Sequence, residues 1–150
     1  MANVHKDFHG AFSYGIQFIM QNYGMDGLKA YLEKLADTVY TPLVKGLRDE
    51  GLTSLRAHWD KIFTLEGGKF EQREEDGVLI LEVHECPAIT HMKKQGYTID
   101  PNFCEHTRIL NEAICSRAGY ESSVDYDQEA GRCTQKFWKQ GTASTSQTKN

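Results

Sequence analysis

The apolar residues of this chain first change their spacing at Gly67-Gly68, and that change limits what the chain can become. Before it they recur every three or four positions, as on one face of a helix. After it come "KFEQRE", then "EDG", then "VLILEVHEC", two runs joined at Asp76-Gly77. Asp-Gly between such runs marks a β-hairpin, because both residues tolerate the left-handed backbone of a two-residue turn. A helical half followed by hairpins predicts an α+β fold.

In the helical half, Phe8, Phe12, Ile16 and Ile19 define a first helix that stops at Gly24. Asp26 then caps a segment carrying Leu28, Leu32, Leu35 and Val39, and Thr41-Pro42 kinks or restarts it. After Gly51, Leu55, Trp59, Ile62 and Phe63 form a third stripe that ends at Gly67-Gly68. Beyond the hairpin, residues 87–99 read as a loop. Asp100-Pro101 opens a helix that runs to Gly119, with Asp as cap and Pro at the first position. A second hairpin follows, "YESSVDY" and "RCTQKFW" around "DQEAG". The expected architecture is N-terminal helices packed on a four-stranded antiparallel sheet with a ββαββ core. One domain spans residues 1–138, and the polar stretch 139–150 is expected to be a disordered tail.

Charge narrows the partners. With a net charge of −4, pI near 5.8 and no basic block, the chain has no electrostatic footprint for nucleic acid. The opening apolar stretch carries His9 and Gln17, and reads as neither a signal peptide nor a membrane span. A cytoplasmic location is therefore expected, with Cys86, Cys104, Cys115 and Cys133 as free thiols. None of them forms a C-x-x-C pair.

Strand alternation places Leu79, Leu81 and Val83 on one face of "VLILEVHEC" and Glu82, His84 and Cys86 on the other. The second face lines up an acid, a base and a thiol. On the later strand Cys133 shares its face with Gln135 and Phe137. On the helix after Pro101, Phe103, Leu110 and Ile114 make the core stripe, with Cys104, Asn111 and Cys115 at its edge beside Arg108. His106 falls on the opposite, solvent-facing side. Cys104 occupies the first turn, where free backbone N–H groups favour a thiolate. A free cysteine is otherwise a small hydrophobe, and that reading fits Cys115.

The same residues carry a family resemblance. "ECPAITHMKKQGY", "NFCEH" and "EAGRCTQKFW" resemble the pattern of the L-2-amino-thiazoline-4-carboxylic acid hydrolase family over residues 69 to 138. The matching positions are Cys86-Pro87, Phe103-Cys104, and Gly131 and Cys133 with Phe137. The pattern departs at Thr107, where an acidic residue is expected. More distantly, the family resembles vinyl-reductase-like small-molecule-binding domains. The resemblance implies hydrolysis that opens a cyclic thiazoline by adding water at the amidine carbon, giving an N-carbamoyl amino acid.

Two functions follow as expectations. The first is a cofactor-free hydrolase of C–N bonds in small cyclic amidines or amides. In it Cys104 is the nucleophile, His84 the base, and Cys86 and Cys133 line the pocket or take the leading role. Arg108 and Asn111 would hold a substrate carboxylate, and Glu82 would orient the imidazole or the substrate. The alternative is a non-catalytic small-molecule sensor, or one bearing zinc on Cys86, Cys104, Cys133 and His84. In either case Tyr14, Phe18, Tyr23, Tyr31 and Tyr40 offer surface for a homo-oligomer.

Overall fold

The computed structural model describes residues 5–142. Helix α1 (Asp7–Ala36) is one long helix broken at Gly24, whose φ of 70° and ψ of −167° leave the helical region. Only glycine enters that conformation without strain, so the sequence stop becomes a kink. Helix α2 (Thr41–Glu50) starts on Pro42, and α3 (Leu52–Glu66) ends on Gly67 in the left-handed conformation. Strands β1 (Lys69–Glu75) and β2 (Val78–Glu85) meet at Asp76 and Gly77, both with positive φ as the turn demands.

The expected loop after Cys86 is instead a helix, α4 (Pro87–Gln95). Pro87 ends the strand and also fills the first helical turn. Ala88, Ile89 and Met92 are buried, and Gly96 closes the helix in the left-handed conformation. Helix α5 (Phe103–Ala118) begins two residues later than Asp100-Pro101 predicts. Buried Asp100 forms a turn with its Oδ1 accepting the Asn102 N–H at 2.8 Å. Strands β3 (Tyr120–Asp127) and β4 (Arg132–Lys139) complete the fold.

The sheet is antiparallel throughout, in the order β1-β2-β4-β3, so the two hairpins lie side by side and join through β2 and β4. The α+β class therefore stands, with two helices between the hairpins where one was expected. Leu79, Leu81 and Val83 of β2 and Phe137 of β4 pack against Leu43, Val44 and Leu47, Leu55, and Leu110, Ala113 and Ile114. A second cluster joins α1, α4 and α5 through Ile16, Leu28, Leu32, Ile89, Met92 and Phe103. Leu35 and Cys86 touch both clusters. The other face of the sheet holds only a small cluster of Val78, Ile80 and Trp138.

Tyr14, Phe18, Tyr23 and Tyr31 are exposed and Tyr40 is half-buried, while Val39 leaves the core to stand in solvent past the end of α1. No helix of the described residues is long and apolar enough to cross a membrane. Most of the expected tail, residues 143–150, lies outside the described residues.

Candidate thiol site

One irregularity in the sheet decides where the thiols lie. In the β1–β2 ladder Phe70 pairs with Val83 and Lys69 with Glu85, so His84 is an extra residue in a β-bulge. Phe70 packs on the core with Val83, while Lys69 reaches Glu85 across the pair at 3.1 Å. The extra residue breaks the alternation, and Cys86 turns towards the helices instead of following Glu82 and His84. Its N–H donates to the Gly131 carbonyl at 2.9 Å. The expectation that Glu82, His84 and Cys86 share a face is thus corrected: Cys86 lies on the side of Leu81 and Val83.

His84 stays on the outer face. Its Nε2 lies 2.8 Å from Glu71 Oε2, and Arg73 Nη1 donates to Glu82 Oε2 at 3.0 Å. Glu71, Glu82 and His84 are, among the described residues, the one group of three or more His, Cys, Asp or Glu side chains with ligand atoms within 4.8 Å of one another. The Cys86–Cys104–Cys133–His84 constellation does not assemble. His84 and Glu82 also line a polar depression of about 300 Å³ with Asp125, Asp127 and Arg132. Cys133 also borders it, whereas Cys86 and Cys104 do not.

On the helix side three thiols do come together. Cys133 pairs with Val83 across the β2–β4 ladder and so faces the helices, as Phe137 does. Cys104, on the first turn of α5, packs into the second cluster beside Cys86. All three are half-buried and free. Cys115 sits in the apolar core, as its helical position predicts.

The polar partners of these thiols are fixed. Asn111 Nδ2 donates to Gln135 Oε1 at 2.8 Å, and Gln135 Nε2 donates to Cys133 Sγ at 3.4 Å. Both amides are buried, so Asn111 supports a thiol and is not free to grip a carboxylate. The Cys104 N–H donates to Gln128 Oε1 at 2.8 Å, and Gln128 Nε2 donates to the Asp100 carbonyl at 3.0 Å. Arg108 is held by Glu105 and Glu112, and Tyr126 donates to Glu105 at 2.9 Å. A substrate carboxylate would have to displace those acids to reach it.

Burial sets the thiol chemistry. It pushes Cys104 up to about 12, with Cys86 and Cys133 adding to the effect, and Cys133 up to about 11. The helix start does not overcome this at Cys104, whose own N–H is already taken by Gln128. Burial also raises the Cys86 thiol. There the backbone N–H groups of Ala88 and Ile89, at the start of α4, pull in the opposite direction, and Glu66 raises it slightly. Of the four cysteines, Cys86 alone has helix-start amides working on its sulfur.

Two imidazoles near the thiols escape a local reading of the sequence. His106, expected in solvent, turns inward. Its ring packs edge-on to Phe12 and Phe103, each with centroids 4.8 Å away, and its Nδ1–H donates to the Phe103 carbonyl. Burial pushes it down to about 4. His9 Nε2 lies 2.9 Å from Glu66 Oε1, and these side chains are only 13% and 11% exposed. That pair joins the start of α1 to the end of α3.

No protein-family profile matches this chain, and no curated protein matches it.

Proposed function

We propose that the chain is a cysteine-dependent hydrolase of small cyclic amidines or amides, with Cys86 as its reacting thiol. The observation that carries this reading is the gathering of Cys86, Cys104 and Cys133 on the helix side of the sheet. They arrive there from a strand end, a helix start and a second strand. Cys86 takes the leading place from Cys104 because it stands at the N-cap of α4, where backbone N–H groups stabilise a developing thiolate. His84 gives up the role of base, since it lies across the sheet.

In the reaction the Cys86 sulfur attacks the amidine or amide carbon, and its proton passes to a base. The ring bond at that carbon breaks, and the leaving heteroatom takes a proton. Water then displaces the sulfur and restores the thiol. Cys133, held by the Asn111–Gln135 relay, and Cys104, held by Gln128, shape the walls around the reacting carbon.

A second reading, a small-molecule-binding domain without catalysis, is favoured by the strong upward displacement of Cys104 and Cys133. Proton NMR of 2-amino-thiazoline-4-carboxylate and simple cyclic amidines incubated with the protein separates the two. Ring opening that Cys86→Ser abolishes and Cys115→Ser leaves intact supports the hydrolase. Saturable ligand shifts without ring opening support the binding domain. The cytoplasmic location and self-association through exposed Tyr14, Phe18 and Tyr23 belong to the same proposal; sedimentation velocity at micromolar concentration tests the latter, and a monomer ends it.

A further inference from the structure

The hydrolase reading lacks a base once His84 is placed across the sheet, and the structure holds one other pair suited to the work. His9 and Glu66 are 57 residues apart in the chain, yet they meet at 2.9 Å with both side chains largely withdrawn from water. An imidazole oriented by a carboxylate is the arrangement that lets a neighbouring nucleophile shed its proton. A half-buried imidazole–carboxylate contact of this kind is weak evidence of a purely stabilising role.

The pair lies beside the end of β2. Gly67 and Gly68 follow Glu66, and a Cβ built on Gly68 would come within 2.9 Å of Pro87 Cδ and 3.3 Å of the Glu85 carbonyl. Those two residues flank Cys86. Any side chain at Gly68 would push the end of α3 off the strand end, so this glycine lets Glu66 approach it. On the other side, His9 faces His106 of α5, two residues beyond Cys104.

We propose that His9 is the proton acceptor for Cys86 through one intervening water, and that Glu66 is a positioning residue. This rests on the hydrolase reading for its purpose but can be tested without a substrate. The proton moves from the Cys86 sulfur to the His9 ring, leaving a thiolate and an imidazolium. Glu66 holds the imidazolium, and the amides of Ala88 and Ile89 hold the thiolate. The charged or titratable groups facing this set are Cys104 and His106 from α5, Cys133 from β4, and Tyr40 from the turn after α1. Lys6 Nζ would stand 3.7 Å from a Cβ on Gly67.

The test is the rate of iodoacetamide alkylation at each cysteine of the full chain, read by peptide mass spectrometry from pH 5 to 10. Wild-type Cys86 should gain reactivity at lower pH than Cys104 and Cys133, whose thiols burial pushes up to about 12 and about 11. His9→Gln should slow Cys86 about tenfold or more at pH 7, with the difference closing by about pH 10, while Cys104 and Cys133 keep their rates. Glu66→Gln should slow Cys86 by a smaller factor. A wild-type Cys86 profile that coincides with that of Cys104 overturns the proposal, as does a Cys86 rate unchanged by His9→Gln. Equal slowing of all three thiols overturns it too. If His9→Gln does not fold, the wild-type profile and Glu66→Gln still decide. A His9-dependent Cys86 in a protein that opens no ring would retain this inference and retire the hydrolase.

Discussion

The two faces of the sheet carry the same strands to opposite ends. On the helix side, Leu79, Leu81, Val83 and Phe137 lie in a continuous core, threaded by the buried Asn111–Gln135–Cys133 relay. On the outer side, Val78, Ile80 and Trp138 make a small patch ringed by Glu71, Arg73, Glu82 and His84, whose ion pairs are open to solvent. Sequence alternation assigns the thiol, the imidazole and the acid of β2 to one face. A single extra residue, His84 in its bulge, divides them. The thiol goes where water is scarce, and the imidazole and acid go where it is plentiful. Low dielectric makes each group on the helix side costly to leave unpaired and strong when paired. The outer face has neither property.

The largest expected effect tests that contrast on adjacent residues of one strand. Leu81→Ala, at a fully buried site in the main core, should cost about 3–4 kcal/mol. Ile80→Ala, on the small outer cluster, should cost about 1–2 kcal/mol, because fewer neighbours lose contact. Urea denaturation midpoints measure both. Equal losses would mean that the outer face is a second core, and the contrast would fail.

What the sequence shows and hides follows the same division between local and distant causes. The hairpin at Asp76-Gly77 and the stops at Gly67 and Gly119 are legible because a left-handed backbone selects the residue locally. The stripe of Phe103, Leu110 and Ile114 is legible because helical spacing brings those side chains together. Helix α4 was hidden by its brevity. Pro87 serves both as strand end and as helix start, and only Ala88, Ile89 and Met92 mark the buried face. The face of Cys86 was hidden because a bulge leaves no trace in an alternating pattern. Gln128 and the His9–Glu66 pair had no local signal, since tertiary packing alone brings residues 24 and 57 positions apart into contact.

A second prediction sets the half-buried imidazole of His106 against solvent. His106 is displaced from 6.5 to about 4 by burial, so the folded ring stays neutral where the unfolded one takes a proton. Between those pH values the unfolded chain binds more protons, and stability therefore falls as pH drops from about 6.5 towards 4. The loss from this group should reach at most about 3 kcal/mol. His106→Asn, whose amide can still donate towards the Phe103 carbonyl, should flatten that part of the pH profile. An unchanged slope in urea melts at pH 4.5 and 6.5 would place the ring in water after all.

A smaller effect is expected at the hairpin turn. Gln128 joins the Cys104 N–H to the Asp100 carbonyl, closing the start of α5 against the β3–β4 connection. Gln128→Ala should cost about 1–2 kcal/mol, the value of two half-buried hydrogen bonds. Hydrogen exchange at the Cys104 amide should quicken more than at Ile114, deep in the same helix. Uniform quickening along α5 would make the loss global and deny Gln128 its local role.

The smallest effect belongs to the outer face. Glu71 stands directly opposite Glu82 across β1 and β2, and like charges so placed repel. His84 and Arg73 relieve that repulsion, but His84 and Glu71 are 47% and 65% exposed, and ion pairs so open to water contribute little. Glu71→Gln removes the repulsion and the attraction together, so its net effect should stay within about 0.5 kcal/mol. Raising the salt concentration should shrink even that difference, because exposed charges are screened and the helix-side relay is not. Urea midpoints at low and high salt measure both statements. A salt-insensitive loss above about 1 kcal/mol would show the outer charges held as rigidly as the thiols' partners, and the two faces would no longer differ in kind.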